Sequence, residues 1–549
     1  MEENFNKLEN FEVQVGESPM EEKKKINKCF IIVPIISIIV VVLIIVVIFL
    51  LMGEKKEEKK EEKKEEEKEE SLCIIGEEDK CLTCNKDKCA TCNYRYKLID
   101  GKCIANFSFR AIYEISDENK TINLINELYK SNIIDIEIDK EIVSPNNYEY
   151  TFNSSGNYTV YITMDLKNLT SLHLFNETNN LKSIYFSKEF NTENITSFDS
   201  FFLNNYNLES IDISNLNVEN VEDMDNMFSS CISLKNLKLP NTKTSNLKTM
   251  GFLFASCSSL TSIDLSNFNT EKVNFMNFTF FECSSLKSID LSNFNTKNVV
   301  DMAALFGHCS SLTSINISHF NTENLEYMEN MFQECESLES IDLSNFKTDK
   351  IVEMSALFYG CISLKSINLS NFNTKNINDL KSLFYNCISL TSVDISNFDT
   401  SKVTNMNMMF LNCNSLKSIN VSHFNTENVN EILGMFAGCT SLTSIDLSNF
   451  NTKNLVNMDN LFEECTSLTS IDLSNFVTTN MPNMSDVFLE CNNLSYIDIS
   501  NFSNSTKLIN LFEGVAPNGT LKINKDIRNN IDIPDSWKII EIDNETKIN

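Results

Sequence analysis

The chain has 549 residues and a formal net charge of −30, and its three arginines stand far apart, at positions 95, 110 and 528. A surface that tracks nucleic-acid phosphates needs clustered lysine and arginine, so this composition argues against a nucleic-acid-binding protein. Glycine (12 residues) and proline (7 residues) are scarce, which argues against long flexible linkers of the Gly/Ser or proline-rich kind.

The first predicted element is a transmembrane helix at residues 29–52. This segment carries no charge over 24 positions, and as a helix it is about 36 Å long, enough to cross the ~30 Å hydrocarbon core. It is longer than the apolar region of a cleaved signal peptide, which has about 7–15 residues. We therefore expect a tail at 1–28, a single span, and a Glu/Lys stalk at 53–70 that is either helical or a solvated spacer.

The orientation of the span follows from several weaker signals. Four lysines at positions 23, 24, 25 and 28 favour a cytoplasmic N-terminus, whereas the seven lysines of the run at 54–70 favour the reverse. Seventeen Asn-x-Ser/Thr sequons all follow the span, and they favour an exported C-terminal region.

Residues 71–104 form a predicted cysteine-rich module. Its two C-x-x-C pairs are only four residues apart, whereas zinc ribbons and fingers separate theirs by roughly 12–20 residues. A disulfide framework is favoured over a zinc site, and its candidate cysteines are Cys73, Cys81, Cys84, Cys89, Cys92 and Cys103. The phrase CATCNYRYKLIDGKC resembles furin-like or growth-factor-receptor cysteine-rich modules, which are extracellular. This resemblance decides our expectation of a single-pass type II plasma-membrane protein with an extracellular C-terminal region.

Residues 105–180 are predicted to cap a repeat array. They combine a predicted helix, INLINELYK, with alternating apolar runs such as IIDIEID and YTVYITMDL. Alternation with a period of two is typical of strands.

A 26-residue repeat occupies residues 181–515. Leucine, cysteine and phenylalanine recur at this interval, and one unit reads C-x-S-L-x-S-I-D-L-S-N-F-N-T-x-N-V-x-x-M-x-x-x-F-x-x. The L-x-x-I-x-L segment predicts a short strand, and V-x-x-M-x-x-x-F has the spacing of a helical return path. A strand plus a helical turn in 20–29 residues is typical of a leucine-rich-repeat coil. The predicted fold is therefore an α/β solenoid, a leucine-rich-repeat array with capping regions, preceded by the span and the disulfide-rich module.

The wording of the repeat closely resembles the BspA-like leucine-rich-repeat surface proteins, over roughly residues 181–515. The tail at 516–549, with GTLKINKDIRNNIDIPDSWKI, is similar to the terminal cap of such arrays. This resemblance implies attachment to host matrix proteins, other cells or microbial surfaces. Many relatives are anchored by a lipid or a C-terminal span, whereas here the apolar segment is N-terminal.

Two columns of the repeat carry reactive side chains. The eleven repeat cysteines, from Cys231 to Cys491, are predicted to be reduced core thiols, since cysteine is a small buried hydrophobe. Disulfide bridges between some of them are the alternative that the sequence leaves open. The exposed position of each strand carries mostly aspartate, interspersed with asparagine. We interpret it as a solvated acidic stripe rather than a Ca²⁺ site, and it forms the candidate concave binding face: Asp264, Asp290, Asp342, Asp394, Asp446, Asp472 and Asp498.

The predicted function is adhesion or recognition of proteins, glycans or other cells, with no catalytic residues, no cofactor and no metal. A long solenoid surface suits a multivalent partner. A membrane-tethered cytoplasmic repeat scaffold is the alternative. A carbohydrate-active solenoid enzyme is a third reading, but such a site breaks the repeat with unlike residues in one coil, and the repeat is not broken in this way.

Overall fold

The computed structural model describes residues 81–85, 88–92, 96–99, 102–105, 107–144, 148–481, 483–504 and 506–543. The predicted tail, span and stalk, and Cys73, lie outside these residues. Within the described residues, no helix has the length and apolarity that crossing a bilayer requires. The type II span at 29–52 therefore stays a prediction.

The cysteine-rich segment contains two short β-hairpins. Strand β1 (Cys81–Asn85) pairs antiparallel with β2 (Lys88–Cys92), and β3 (Tyr96–Ile99) forms a two-stranded sheet with β4 (Lys102–Ala105). The register of the first hairpin sets Cys81 opposite Cys92, and Cys84 opposite Cys89. Directly opposed positions of an antiparallel pair lie about 4.5–5.5 Å apart, so the backbone is compatible with the predicted disulfides, which stay a prediction.

The residues before the repeats form a cap of antiparallel strands. Its elements are β5 (Phe109–Ile115), β6 (Lys120–Asn123), a 3₁₀ helix (Glu127–Asn132), β7 (Ile133–Ile138), β8 (Glu141–Val143), β9 (Glu149–Phe152) and β10 (Gly156–Met164). The predicted strands are confirmed, whereas the predicted helix INLINELYK is divided between β6 and the 3₁₀ helix.

Strand β5 closes the N-terminal edge of the solenoid. It pairs antiparallel with β11 (Leu181–Phe186), and β11 continues in parallel to β12 (Ser210–Asp212) and β13 (Asn236–Lys238), so that one sheet has the order β13-β12-β11-β5-β10-β7-β8. An unpaired edge strand is a template for aggregation. The cap removes that edge from the first coil.

The repeats build a β-solenoid of about 13 turns. The S-I-D segments of the units lie in one column, called the first ladder, and they form short strands in part of it, at β14 (Ser366–Asn368), β15 (Ser392–Asp394) and β16 (Ser470–Asp472). A second ladder of parallel bridges runs through the residue before the methionine position of the repeat, which holds Leu or Ile in some coils. It extends from Ser171 to Glu353 and from Asp379 to Asn457.

The C-terminal end adds further strands to both ladders. These are β17 (Asn483–Ser485), β18 (Tyr496–Ile499), β19 (Lys507–Ile509), β20 (Thr520–Asn524), a second 3₁₀ helix (Lys525–Asn530) and β21 (Lys538–Ile542). They form the pair β17-β19 and the parallel sheet β16-β18-β20-β21. Trp537 is buried, packs edge-on against Phe512 at 5.2 Å, and donates its indole N–H to the carbonyl of Ala516.

The predicted helical return path is wrong. In the coil that begins at Cys231, the amides of Met250, Phe252 and Phe254 donate to carbonyls of the next coil at 2.9–3.0 Å, whereas an α-helix needs those amides for its own i−4 carbonyls. Every second amide therefore points along the solenoid. Four-residue turns, closed by bonds such as that from the Leu253 N–H to the Met250 carbonyl, fill the spaces between, with Phe252 and Ser256 at positive φ (56° and 58°).

The core is continuous from cap to cap. In one coil Leu260, Leu265, Phe268, Val273 and Met276 are all at most 4 % exposed, as the apolar spacing predicts. The repeat phenylalanines stack with nearly parallel rings along the solenoid, from Phe175 and Phe202 to Phe488, with centroids 5.4–6.2 Å apart and planes within 13°. Each pair contributes about 0.5–1.5 kcal/mol beyond its buried area, so the stack stabilises contacts between coils rather than any single coil.

Candidate recognition surface

The aspartate column of the first ladder is held by its own turns. The Oδ1 atom of Asp264 accepts the backbone N–H of Ser266 at 3.0 Å, and the other six candidate residues make the equivalent bond at 2.9–3.1 Å. Bonds from the backbone N–H and the hydroxyl of Ser266 lower the pKa of Asp264, and Ser292 does the same for Asp290. Much of this column is therefore explained by local structure.

Six of the seven candidate aspartates are exposed, and Asp498 differs. Asp264, Asp290, Asp342, Asp394, Asp446 and Asp472 lie at the surface, as predicted. Asp498 is 1 % exposed, and it accepts a bond from Lys522 Nζ at 2.8 Å. Because β20 pairs with β18, it brings Lys522 alongside Asp498. The prediction that Asp498 forms part of an exposed binding face is therefore wrong.

The repeat cysteines are free and buried, as predicted. Each thiol points to the carbonyl of a phenylalanine 29 residues earlier, as Cys257 does to Phe228 at 3.2 Å and Cys309 to Phe280 at 3.1 Å. Burial raises the pKa of Cys283 and Cys439 to about 12. These thiols are protonated at neutral pH, and a nucleophile or a metal ligand must be a thiolate.

Other polar columns also connect neighbouring coils. Thr270 Oγ1 donates to the carbonyl of Asn295 at 3.0 Å and accepts the N–H of the same residue at 2.7 Å. His319 and His423, which replace asparagine in S-N-F, lie 3.1 Å from the carbonyls of Leu291 and Ile395, where asparagine bonds in other coils. Across residues 107–543 as far as they are described, no group of three or more His, Cys, Asp or Glu side chains is arranged to hold a metal ion.

The second ladder is where the coils differ from one another at the surface. Its position before the methionine carries an exposed Phe275, a partly exposed Asp301, an exposed Tyr327 and a partly exposed Glu353 in four consecutive coils. The buried columns, in contrast, are nearly constant. Sequence reasoning concentrated on the most regular exposed column and missed this one. The signal was present, because an outward position whose chemistry changes from coil to coil is free of the packing that fixes the others.

Carboxylates beside this ladder have unusual ionisation. Burial, assisted by the charges of Asp301 and Glu353, raises the pKa of Glu329 to about 7, and burial also raises the pKa of Asp301 and Glu353. Glu329 Oε2 is buried and has no hydrogen-bond partner within the described residues. These carboxyl groups therefore keep their protons to higher pH than solvated ones do, and a nearby cation would favour their ionised forms.

One protein family matches the repeats. The family described as "Mycoplasma protein of unknown function, DUF285" matches residues 147–263, 250–365, 337–420 and 415–529, which together span more than half of the chain. The chain belongs to the DUF285 family. A comparison with curated proteins finds no match.

Leucine-rich-repeat proteins of known structure are neighbours of this DUF285 chain. A leucine-rich cell-surface protein from Faecalibacterium prausnitzii A2-165 is 18% identical, with 60% of this chain and 79% of that chain covered and a TM-score of 0.32. A leucine-rich-repeat protein from Eubacterium ventriosum ATCC 27560 is 18% identical, with 54% and 82% covered and a TM-score of 0.30. The T. pallidum leucine-rich-repeat protein is 21% identical, with 31% and 72% covered and a TM-score of 0.23.

Proposed function

We propose that the protein is a membrane-anchored surface protein whose solenoid recognises other macromolecules. The proposal is carried by the division of labour within each coil. Inward and inter-coil positions are nearly constant, whereas positions along the second ladder vary from Ser197 and Asp223 to Phe275 and Glu431. Such an arrangement suits a binding protein, because contacts can change without loss of the fold.

Adhesion to proteins, glycans or other cells is the form of recognition that we propose. A series of coils about 4.8 Å apart presents many weak contacts in a row, and these add when the partner is itself periodic or multivalent. The regular use of Asp, Asn, Thr and His side chains within turns and between coils supports a binding role over catalysis, since a catalytic site needs such groups to face a substrate.

The anchor belongs to the same proposal. The apolar segment at 29–52 holds the chain in the plasma membrane, residues 1–28 remain cytoplasmic, and the repeats face the outside. The opposed cysteines of the β1-β2 hairpin support export, because disulfides persist in oxidising compartments. The cytoplasmic scaffold requires the reverse topology.

Protease shaving of intact cells tests this proposal. Cells that express the full chain with a C-terminal epitope are treated with protease, and a cytoplasmic marker is followed as the control for intact membranes. We expect the epitope to disappear while the marker survives, and the untreated chain to shift in size after glycosidase treatment. Survival of the epitope in intact cells contradicts the surface location and favours the cytoplasmic scaffold.

A further inference from the structure

Two exposed aromatic rings alternate with carboxylates along the second ladder. Parallel bridges join Phe275 to Asp301, Asp301 to Tyr327, and Tyr327 to Glu353, and Glu329 lies beside them. These five residues are called the aromatic–acidic patch. The side chains of Phe275 and Tyr327 are 47% and 39% exposed. Two large rings therefore face solvent in coils that are separated by one coil.

The rings are not required by the fold. At the same position other coils carry Thr249, Asn405 or Asn457, which make the same bridges. Most other phenylalanines of the repeats are buried in the core. An exposed ring loses the burial energy that a core ring gains, and its face remains free to contact a partner.

The carboxylates of the patch are short of positive partners. Within the described residues, no ion pair involves Asp301, Glu329 or Glu353, whereas several surface glutamates of other columns pair with lysine across coils, as Glu222 does with Lys248. The pKa of Glu329 is raised by burial and then by the charges of its two acidic neighbours. A cation placed here lowers this mutual repulsion, and a neutral sugar does not.

We propose that the aromatic–acidic patch is a docking surface for a basic segment of a partner protein, whose Lys and Arg side chains lie against Phe275 and Tyr327 and pair with Asp301 and Glu353. Cations bind favourably over aromatic faces, and opposite charge also speeds encounter. The two carboxylates are two coils apart, about 10 Å at ~4.8 Å per coil. Basic side chains about three residues apart in an extended polypeptide span that distance, at about 3.3 Å per residue, whereas one small cation does not. The inference rests on the proposed recognition function and names the partner class for one surface.

A labelled basic peptide tests the patch directly. Full-length protein is titrated into fluorescein-labelled nona-arginine, with nona-glutamate as the charge-reversed probe, and Kd is read from anisotropy. The triple variant Asp301→Asn/Glu329→Gln/Glu353→Gln removes the charge of the patch, and we expect its binding to nona-arginine to weaken by about tenfold or more.

The matched control separates a local site from net charge. The variant Glu219→Gln/Glu271→Gln/Glu427→Gln removes the same number of carboxylates at exposed positions that lie outside both ladders. We expect it to change Kd by less than about twofold, since screening makes distant surface charges weak. Equal losses in both triple variants overturn the proposal.

The aromatic rings provide a test that leaves the charge unchanged. Phe275→Ser/Tyr327→Ser is expected to weaken nona-arginine binding by about fivefold, from the loss of two cation–π contacts, with a melting temperature close to the parent. Unchanged affinity overturns the proposal. Binding of neutral mannan at the patch in place of nona-arginine also overturns the proposal. That outcome keeps the recognition function and changes the class of partner. Failure of the recognition function itself appears separately, as a protected epitope in the shaving experiment.

Discussion

Asparagine and aspartate alternate in the first ladder because both make the same turn. Asn368 Oδ1 accepts the N–H of Ser370 at 2.9 Å, as Asp342 does with Ser344 at the same distance. Both residue types favour such local side-chain bonds. This shared turn geometry explains the interchange directly, without any need for relief of like-charge repulsion between coils.

Backbone strain is spread over many ordinary residues. Ala356 has a φ of 52°, in the left-handed region, and equivalent positions carry Phe278, Asn330 or Met408 in other coils. For a residue with a Cβ atom this conformation costs roughly 1–2 kcal/mol. Amide bonds to the next coil, such as Ala356 to Lys381 at 2.9 Å, hold it in place.

Replacing Ala356 by glycine is therefore expected to stabilise the protein, by up to about 1 kcal/mol after the entropy of the added glycine is counted. Ala255→Gly is the matched control, because Ala255 is buried and is not at positive φ. It is expected to destabilise by about 0.5–1 kcal/mol. Thermal unfolding of both variants measures the difference, and a lower melting temperature for Ala356→Gly contradicts the strain argument.

At the scale of the element, the single coil, the sequence predicts what lies inside more fully than how the chain turns. Spacings of three and four residues in V-x-x-M-x-x-x-F fit a helix, and they also fit a flattened coil whose amides bond to its neighbours. Positive φ at Phe252 or Ser256 has no sequence signal comparable to glycine. Only the pairing with the next coil, 26 residues away, decides between a helix and a flattened coil.

The start of the cysteine column contains an informative exception. Asn205 occupies the cysteine position of its coil and is fully buried, with Nδ2 bonded to the carbonyls of Phe175 and Phe202 and Oδ1 without a partner in the described structure. An unsatisfied buried acceptor costs about 1–3 kcal/mol. A thiol makes the same kind of bond to carbonyls in the following coils without leaving such an atom.

Asn205→Cys is expected to stabilise the N-terminal coils by about 1 kcal/mol, because it removes the unsatisfied oxygen. Hydrogen exchange of amides near residues 200–234 measures the effect locally, which matters since a solenoid unfolds in parts. The reverse change, Cys283→Asn, is the control and is expected to lower protection. Reduced protection in Asn205→Cys contradicts this account of the column.

At the scale of the whole molecule, the acidic character affects stability as well as recognition. Glu329 and Asp225 have pKa values raised to about 7 and about 6, mainly by burial. Between their ordinary values and these raised values the folded state binds more protons than the unfolded state. Stability therefore falls as pH rises through this window. The lowered pKa of Asp264 acts only below its ordinary value, where acidification removes stability.

We expect the protein to melt at a higher temperature at about pH 5 than at about pH 8, and Glu329→Gln to reduce this difference by raising the melting temperature at the higher pH. Asp264→Asn is the control, since its carboxylate is stabilised by Ser266 and its removal brings no gain at either pH. Equal melting curves for Glu329→Gln and the parent at about pH 8 show that this carboxyl does not govern the pH dependence.

Long-range organisation limited the prediction of the surface. The 26-residue interval predicts that the repeated Cys, Phe and Leu residues form buried columns, and this prediction is confirmed. The burial of Asp498 depends on Lys522, which belongs to a strand of the C-terminal cap outside the repeat. The aromatic–acidic patch depends on residues 26 apart that share no motif. Neither follows from the pattern of one unit.

The stack of phenylalanine rings and the bonds between coils make 26 residues a natural unit of length. If residues 413–438 were removed, Cys439 would follow Asn412 and take the place of Cys413, so each neighbour would still meet an equivalent surface. Removing one residue fewer would displace every inward side chain beyond that point. Recombination between the similar repeats can therefore lengthen or shorten the array in whole coils, changing its reach and the order of its variable surface while the fold persists.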